Sequence, residues 1–303
     1  MLHPSSTVWR GLAVAVLATV VAACASGTPA VTERGARPSG SAGTSSTTST
    51  ADPGHPVGVV AVGHSGMTGF HSDPNAPDDD VFANSWATGT NPAVDSIYAR
   101  LTRAVPETAD HVANLARDGA EAALLPYQAH DALRLVPTPR LALVQIMDND
   151  IRCDGTDSAH LAEFRASVRE AVDVLVAASP KVSVVLVSGA GRPATYAAAI
   201  AALPTTPADL VGTGPCALFK ANKTVNTTEV NHLTRLMEAY EAELAKVCTG
   251  VPQCHTDAGA ATRVVDSLDA YGTDLGHQSV IGHARTAAAV WPEVAKALGL
   301  PTG

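Results

Sequence analysis

The sequence predicts an α/β fold, a three-layer α/β/α sandwich around a central, mainly parallel sheet. Two patterns point to it. Strand-like runs alternate with helical ones: Val57–Val62 then Pro92–Arg103, His111–Leu115 then Ala120–Leu133, Leu141–Ile146 then Ser158–Ala178, and Val182–Val187 then Ala194–Ala202. The strand-like runs are also apolar almost throughout, the mark of parallel strands covered on both faces. Chain length agrees, since about 250 residues beyond the N-terminal region suffice for one domain that buries most of its unfolded surface.

Each element has a local reason. The four runs are rich in Val, Leu and Ile and short enough for strands rather than helices. Thr227–Val247 starts with Asn and Thr and continues with amphipathic spacing, and Gln278–Leu298 closes the chain as a helix. Thr262–Val265 reads as a fifth, short strand between them.

The N-terminal region carries different information. Arg10 precedes an apolar stretch, Gly11–Ala22, that is too short to span a bilayer, so residues 1–23 read as an export signal. It ends in Val21-Ala22-Ala23-Cys24, which resembles a bacterial lipobox and implies lipidation at Cys24. Residues 24–56 are then a tether dominated by Ser, Thr, Gly, Pro and Ala, too poor in large apolar residues to order. Such a tether has a reach of roughly 30 Å. The expectation is an exported protein held at the cell membrane by a lipid, with the domain, 57–303, outside the cytoplasm.

Charge and cysteines narrow the function. The net charge is −9 without a basic run, and aromatic residues are 4% of the chain, which argues against nucleic acid as a partner. Besides Cys24 there are four cysteines, an even number that suits two disulfides in an exported chain. Cys248 and Cys254 bracket a short loop and are paired on that ground, leaving Cys153 with Cys216. The cysteines lack the paired spacing of zinc sites, and Asp73 with Asp78-Asp79-Asp80 lacks the spacing of a calcium loop, so neither a metal nor an organic cofactor is expected. Gly189-Ala190-Gly191-Arg192-Pro193-Ala194 mimics a dinucleotide-binding turn but carries a proline where that turn opens into its helix.

Three separated segments carry the parts of an acyl-transfer site. Gly63-His64-Ser65 follows the first strand, Asp148-Asn149-Asp150 follows the third, and Asp274-Leu275-Gly276-His277 lies near the end. Parallel sheets place ligands at the carboxyl ends of their strands. Ser65 is the candidate nucleophile, His277 its base and Asp274 the group that orients the base. The backbone N–H groups of Ser65 and Gly119 and the side-chain amide of Asn149 are the candidate oxyanion donors. His283, six residues after His277, is a rival base, but it falls within the last helix and lacks an aspartate three residues before it.

These segments resemble the sequence blocks of the SGNH (GDSL-type) hydrolase superfamily, and the resemblance spans essentially the whole domain. Gly63-His64-Ser65 matches its first block, Gly119 its second, Met147-Asp148-Asn149-Asp150 its third and Asp274 to His277 its last. The stretch Asn84-Ser85-Trp86-Ala87-Thr88-Gly89 is similar to a subset of secreted actinobacterial members. His64 stands where the family carries aspartate, and Met147 where it carries glycine. The resemblance implies a flavodoxin-like layered fold and a serine esterase acting on an acyl ester, either a lipid or an acylated glycan of the envelope. An acyltransferase on the same fold and a non-catalytic binding lipoprotein are the alternatives; the oligomeric state is open.

Overall fold

The computed structural model describes residues 54–264 and 267–302. The expected signal, the lipidated Cys24 and the tether up to residue 53 lie outside the described residues. Five strands form one fully parallel sheet in the order β2-β1-β3-β4-β5, namely β1 Val59–Gly63, β2 Val112–Asn114, β3 Leu141–Gln145, β4 Ser183–Val187 and β5 Cys254–Thr256. Register is tight in the centre, where Gly63 pairs with Gln145 and Gln145 with Val187, so three strands end on one line. That line is the edge on which the candidate site is built.

Every residue of β1 and β3 is buried, as their unbroken apolar runs require. Side chains alternate between the faces of a strand, and the core divides accordingly. Val60, Val62, Ala142, Val144, Val184 and Leu186 pack on one face against α2 Leu125–Leu135, α3 Asp157–Ala178 and α5 Thr227–Val247. Val59, Ala61, Leu143, Val185 and Val187 pack on the other against α1 Ile97–Ala104, α6 Val280–Ala297 and the fully buried Trp86. Two serines start the helices of this second layer. Ser96 accepts from the Ala99 N–H at 3.1 Å, and Ser279 from the Gly282 N–H at 3.2 Å. A further short helix, α4 Pro193–Ala201, begins on a proline, which suits a helix start because it has no N–H to leave unpaired. Among the described residues no helix is long and apolar enough to cross a membrane.

One strand lies elsewhere than expected. Residues 261–263 form a single 3-10 turn, not a strand. The edge position beside β4 is taken by Cys254–Thr256, with Val184 opposite Cys254. The Cys248–Cys254 disulfide holds this strand to the end of α5, while Thr262 is drawn inward by hydrogen bonds to Ser188 and Glu241 at 2.8 and 2.9 Å. The second disulfide, Cys153–Cys216, ties the loop after β3 to the irregular segment between α4 and α5.

Closing 63 residues of sequence, Cys153–Cys216 restricts the unfolded chain more than the six-residue Cys248–Cys254 loop does. On the chain-entropy account the first is worth about 4 kcal/mol and the second about 2 kcal/mol. Paired Cys→Ser substitutions, followed by urea unfolding, should rank them in that order; the reverse order would contradict the account.

Candidate active site

The site begins with a glycine that can have no side chain. Gly63 ends β1 with φ +152°, and a Cβ there would stand 2.0 Å from the Gln145 carbonyl oxygen of the neighbouring strand. The side chain of Gln128, from α2, clamps this residue from the other layer. Its carbonyl accepts from the Gly63 N–H at 2.7 Å and its amide donates to the Gly63 carbonyl at 2.9 Å. The chain then leaves the sheet through a 3-10 turn, Ser65–Met67.

His64 caps that turn. Its Nδ1 accepts from the Gly66 N–H at 3.1 Å, so in the neutral ring the proton sits on Nε2. Nε2 is buried, has no hydrogen-bond partner among the described residues, and lies 3.6 Å from Asp148 Oδ2, beyond hydrogen-bond range. Burial lowers its pKa and the nearby His277 lowers it further, against the opposing carboxylates of Asp148 and Asp118. The histidine therefore takes the acceptor role that an aspartate could fill, without adding a negative charge beside Ser65.

Ser65, 5% exposed, meets the last segment directly. His277 Nε2 lies 2.8 Å from Ser65 Oγ, and His277 Nδ1 lies 2.5 Å from Asp274 Oδ2. The other oxygen of Asp274 accepts from the N–H groups of Gly276 and His277, each at 3.0 Å. Burial opposes the charge on Asp274, yet the His277 ring and these two backbone donors hold its carboxyl well below the usual carboxylate range. An ionised Asp274 requires the proton on Nδ1, which leaves the Nε2 lone pair facing the serine hydroxyl. This chain of three can remove the hydroxyl proton as the oxygen attacks a carbonyl carbon.

The candidate oxyanion donors are placed unequally. Ser65 opens its turn, and its N–H has no acceptor within the protein among the described residues. Asn149 lines the same cavity, of about 160 Å³, as Ser65 and His277. Its amide donates to the Ala120 carbonyl at 3.0 Å, which leaves a second N–H on that nitrogen. Gly119 is exposed and is not among the residues lining this cavity. Its loop nevertheless touches both blocks, since the Arg117 N–H bonds the Gly63 carbonyl at 3.1 Å and Ala120 accepts from Asn149. His283 is not placed as a base. It is buried in α6, accepts from the Trp86 N–H at 3.3 Å, and burial followed by the charge of His277 pulls its pKa down to about 3.

Sequence reasoning missed the residues that hold the turn and the base. Trp86 Nε1 donates to the Gly66 carbonyl at 3.0 Å and to Gln145 Oε1 at 3.2 Å, and Asn114 Nδ2 donates to the Met67 carbonyl at 2.9 Å. Phe70 packs its ring edge-on to His277 at 5.0 Å, and His71 lies beside it at 5.3 Å. His71 Nε2 stands 3.7 Å from Asp274 Oδ2. Gly272 permits this approach, because a Cβ there would meet the His71 carbonyl at 2.4 Å. A partial signal was the polar residue that ends two of the strands, Asn114 in β2 and Gln145 in β3. His71, Asp274 and His277 are also the one trio among the described residues whose ligand atoms could share a cation. Such a cation would compete for the atoms that join Asp274 to His277.

Comparison with protein families and with curated proteins finds no match. Among solved structures, the chain is similar to a family two carbohydrate esterase from Clostridium thermocellum, at 14% identity and a TM-score of 0.49 over 81% of this chain and 66% of that one. It is also similar to the psychrotrophic esterase EstA from Pseudoalteromonas sp., at 8% identity and a TM-score of 0.47 over 80% and 98%. A third is an extracellular lipase from Streptomyces rimosus, at 14% identity and a TM-score of 0.45 over 77% and 97%. The chain thus spans just under two thirds of the carbohydrate esterase and nearly all of the other two.

Two outcomes follow from the site. His64→Ala removes the cap of the Ser65 turn and should cost at least about 1 kcal/mol in urea unfolding, with His64→Asp recovering most of the loss. Asp150 tests the electrostatics. Burial pushes its carboxyl up to about 7, aided by Glu121 and Asp148 and opposed by the Ala122 N–H. The folded state then holds a proton that the unfolded chain has released above its ordinary carboxylate value. Stability should therefore fall as pH rises from about 4 toward 7, and Asp150→Asn should flatten that slope.

Proposed function

We propose that the protein is a serine-dependent carboxylic-ester hydrolase of the SGNH type. The observation that carries the reading is the unbroken hydrogen-bonded chain from Ser65 through His277 to Asp274, set at the carboxyl edge of a parallel sheet. In this reaction His277 Nε2 takes the Ser65 hydroxyl proton while Oγ bonds to the ester carbonyl carbon. The tetrahedral oxyanion is received by the Ser65 N–H and the Asn149 amide, the two candidate donors that line the cavity; Gly119, exposed and outside it, is left out of this set. The carbon–alkoxy bond then breaks, and the leaving alcohol takes the proton from His277. Water, deprotonated by the same nitrogen, releases the acid and restores Ser65.

The same proposal places the domain outside the cytoplasm, held to the membrane through a lipidated Cys24. The two disulfides support this, since such bonds persist in oxidising compartments.

Turnover of a short p-nitrophenyl ester tests the chemistry. Ser65→Ala and His277→Ala should each lower kcat by on the order of 10⁴-fold or more, and Asp274→Asn by about 10⁴-fold through loss of the tautomer. Asn149→Ala should lower kcat by about 10²- to 10³-fold with little change in KM. Full hydrolysis by Ser65→Ala would overturn the reading.

A further inference from the structure

A second, larger hollow adjoins the Ser65 cavity. It measures about 380 Å³ and shares Asp148, Ala190, Gly191, Tyr271 and Gly276 with the smaller one. Three of the five shared residues are Gly or Ala, so the junction is lined by little side-chain bulk. Beyond it the character of the walls changes. The Ser65 cavity is lined by polar groups such as His64, Gln145, Asn149 and Gln278, whereas the larger hollow is lined by Ile151, Tyr196, Leu210, Leu218, Leu233 and Met237. Its two charged residues are Asp148, at the junction, and Arg192, whose guanidinium is paired with Glu241 at 3.3 Å. No unpaired cation is therefore presented to an anionic ligand by this wall.

The wall is built, not incidental. Leu210 and Leu218 come from the segment between α4 and α5, and Leu218 packs with Phe219, Ala197, Ile200 and Val230 in a small core of its own. The Cys153–Cys216 disulfide, itself part of the lining, fastens that segment to the loop after β3. Tyr196 ties it to the catalytic loop, since its hydroxyl donates to the Leu275 carbonyl at 3.0 Å and its ring meets Tyr271 edge-on at 5.1 Å.

We infer that this groove holds the unbranched hydrocarbon chain of the acyl group, so that the preferred substrates are fatty-acyl esters rather than acetates of a glycan. The inference rests on the ester-hydrolase reading above and adds a substrate class to it. Continuity with the Ser65 cavity identifies the occupant as part of the ester. The acyl part is the one that stays on Ser65 through both halves of the reaction, so contacts to it act on acylation and deacylation alike. A linear alkyl chain suits a trough lined by aliphatic residues, where a sugar would leave hydroxyls without partners.

The test is a series of p-nitrophenyl esters from acetate to dodecanoate, run beside acetates of n-alkyl alcohols of matching length. With the unmodified protein, kcat/KM should climb by about two- to fourfold per methylene of the acyl chain until the groove is filled, and stay flat along the alcohol series. Leu210→Trp and Leu233→Trp, on different walls, should each lower the octanoate-to-acetate ratio at least about tenfold. Should either variant fail to fold, n-alkylboronic acids supply the same reading on the unmodified protein, with inhibition tightening as the chain lengthens. A flat acyl series, chain dependence on the alcohol side, or tryptophan variants that fold yet keep the ratio would each overturn the groove assignment while acetate turnover by Ser65 leaves the hydrolase reading standing. If no ester is turned over and no boronic acid inhibits, both fall.

Discussion

The close approach of β1 to β3 at Gly63 is the constraint on which the site depends. With the Gln145 carbonyl 2.0 Å from where a Cβ would be, only glycine fits, and its φ of +152° turns the chain off the sheet at once. Ser65 thus stands two residues beyond the strand instead of further along a loop. Gln128 holds both backbone groups of Gly63, and Trp86 and Asn114 hold the carbonyls of Gly66 and Met67. Ser65 is thereby fixed from both layers of the sandwich. Met147, opening the neighbouring block, adopts φ +150°, a conformation that glycine favours, and is fully buried. Its terminal methyl would lie 2.7 Å from a Cβ on Gly189, so a small residue after β4 makes room for a large one after β3.

Three of the four histidines around the site show how environment divides one chemistry into separate tasks. His283, fully desolvated, stays neutral and serves as an acceptor in the core. His64, also buried, caps a turn through Nδ1, and burial holds its pKa below the usual imidazole value. His277 alone joins a carboxylate on one side and the serine hydroxyl on the other. Because the backbone donors to Asp274 come from residues 276 and 277, the same short loop sets the carboxylate, the tautomer and the ring orientation together.

Much of this was legible in the sequence, for a physical reason. Central parallel strands are buried on both faces, so β1, β3 and β4 read as unbroken apolar runs, and α5 appeared at its observed limits, Thr227–Val247. Ser65 and Asn149 were legible because the ends of those strands could be located, and Asp274 with His277 because of their three-residue spacing in a late loop. The edge strand Cys254–Thr256 was not, since three residues reading Cys-His-Thr carry no apolar run and gain their place from the sheet and a disulfide. Nor were Gln128, Asn114 and His71, whose roles arise from contacts between distant segments; Gln128 lies 65 residues from Gly63 and His71 meets Asp274 across the fold. The apolar groove was equally invisible, because its walls come from five separate stretches joined only in space.

The central claim is that Ser65 Oγ is the atom made nucleophilic by His277 and Asp274. Its most direct measurement is peptide mapping by mass spectrometry after reaction with a p-nitrophenyl alkylphosphonate, which forms a stable bond to an activated serine. The account predicts a single adduct, on Ser65, formed with release of one equivalent of nitrophenol and absent from the unfolded chain. An adduct on any other residue, or no adduct in a folded protein that still hydrolyses esters, would contradict it.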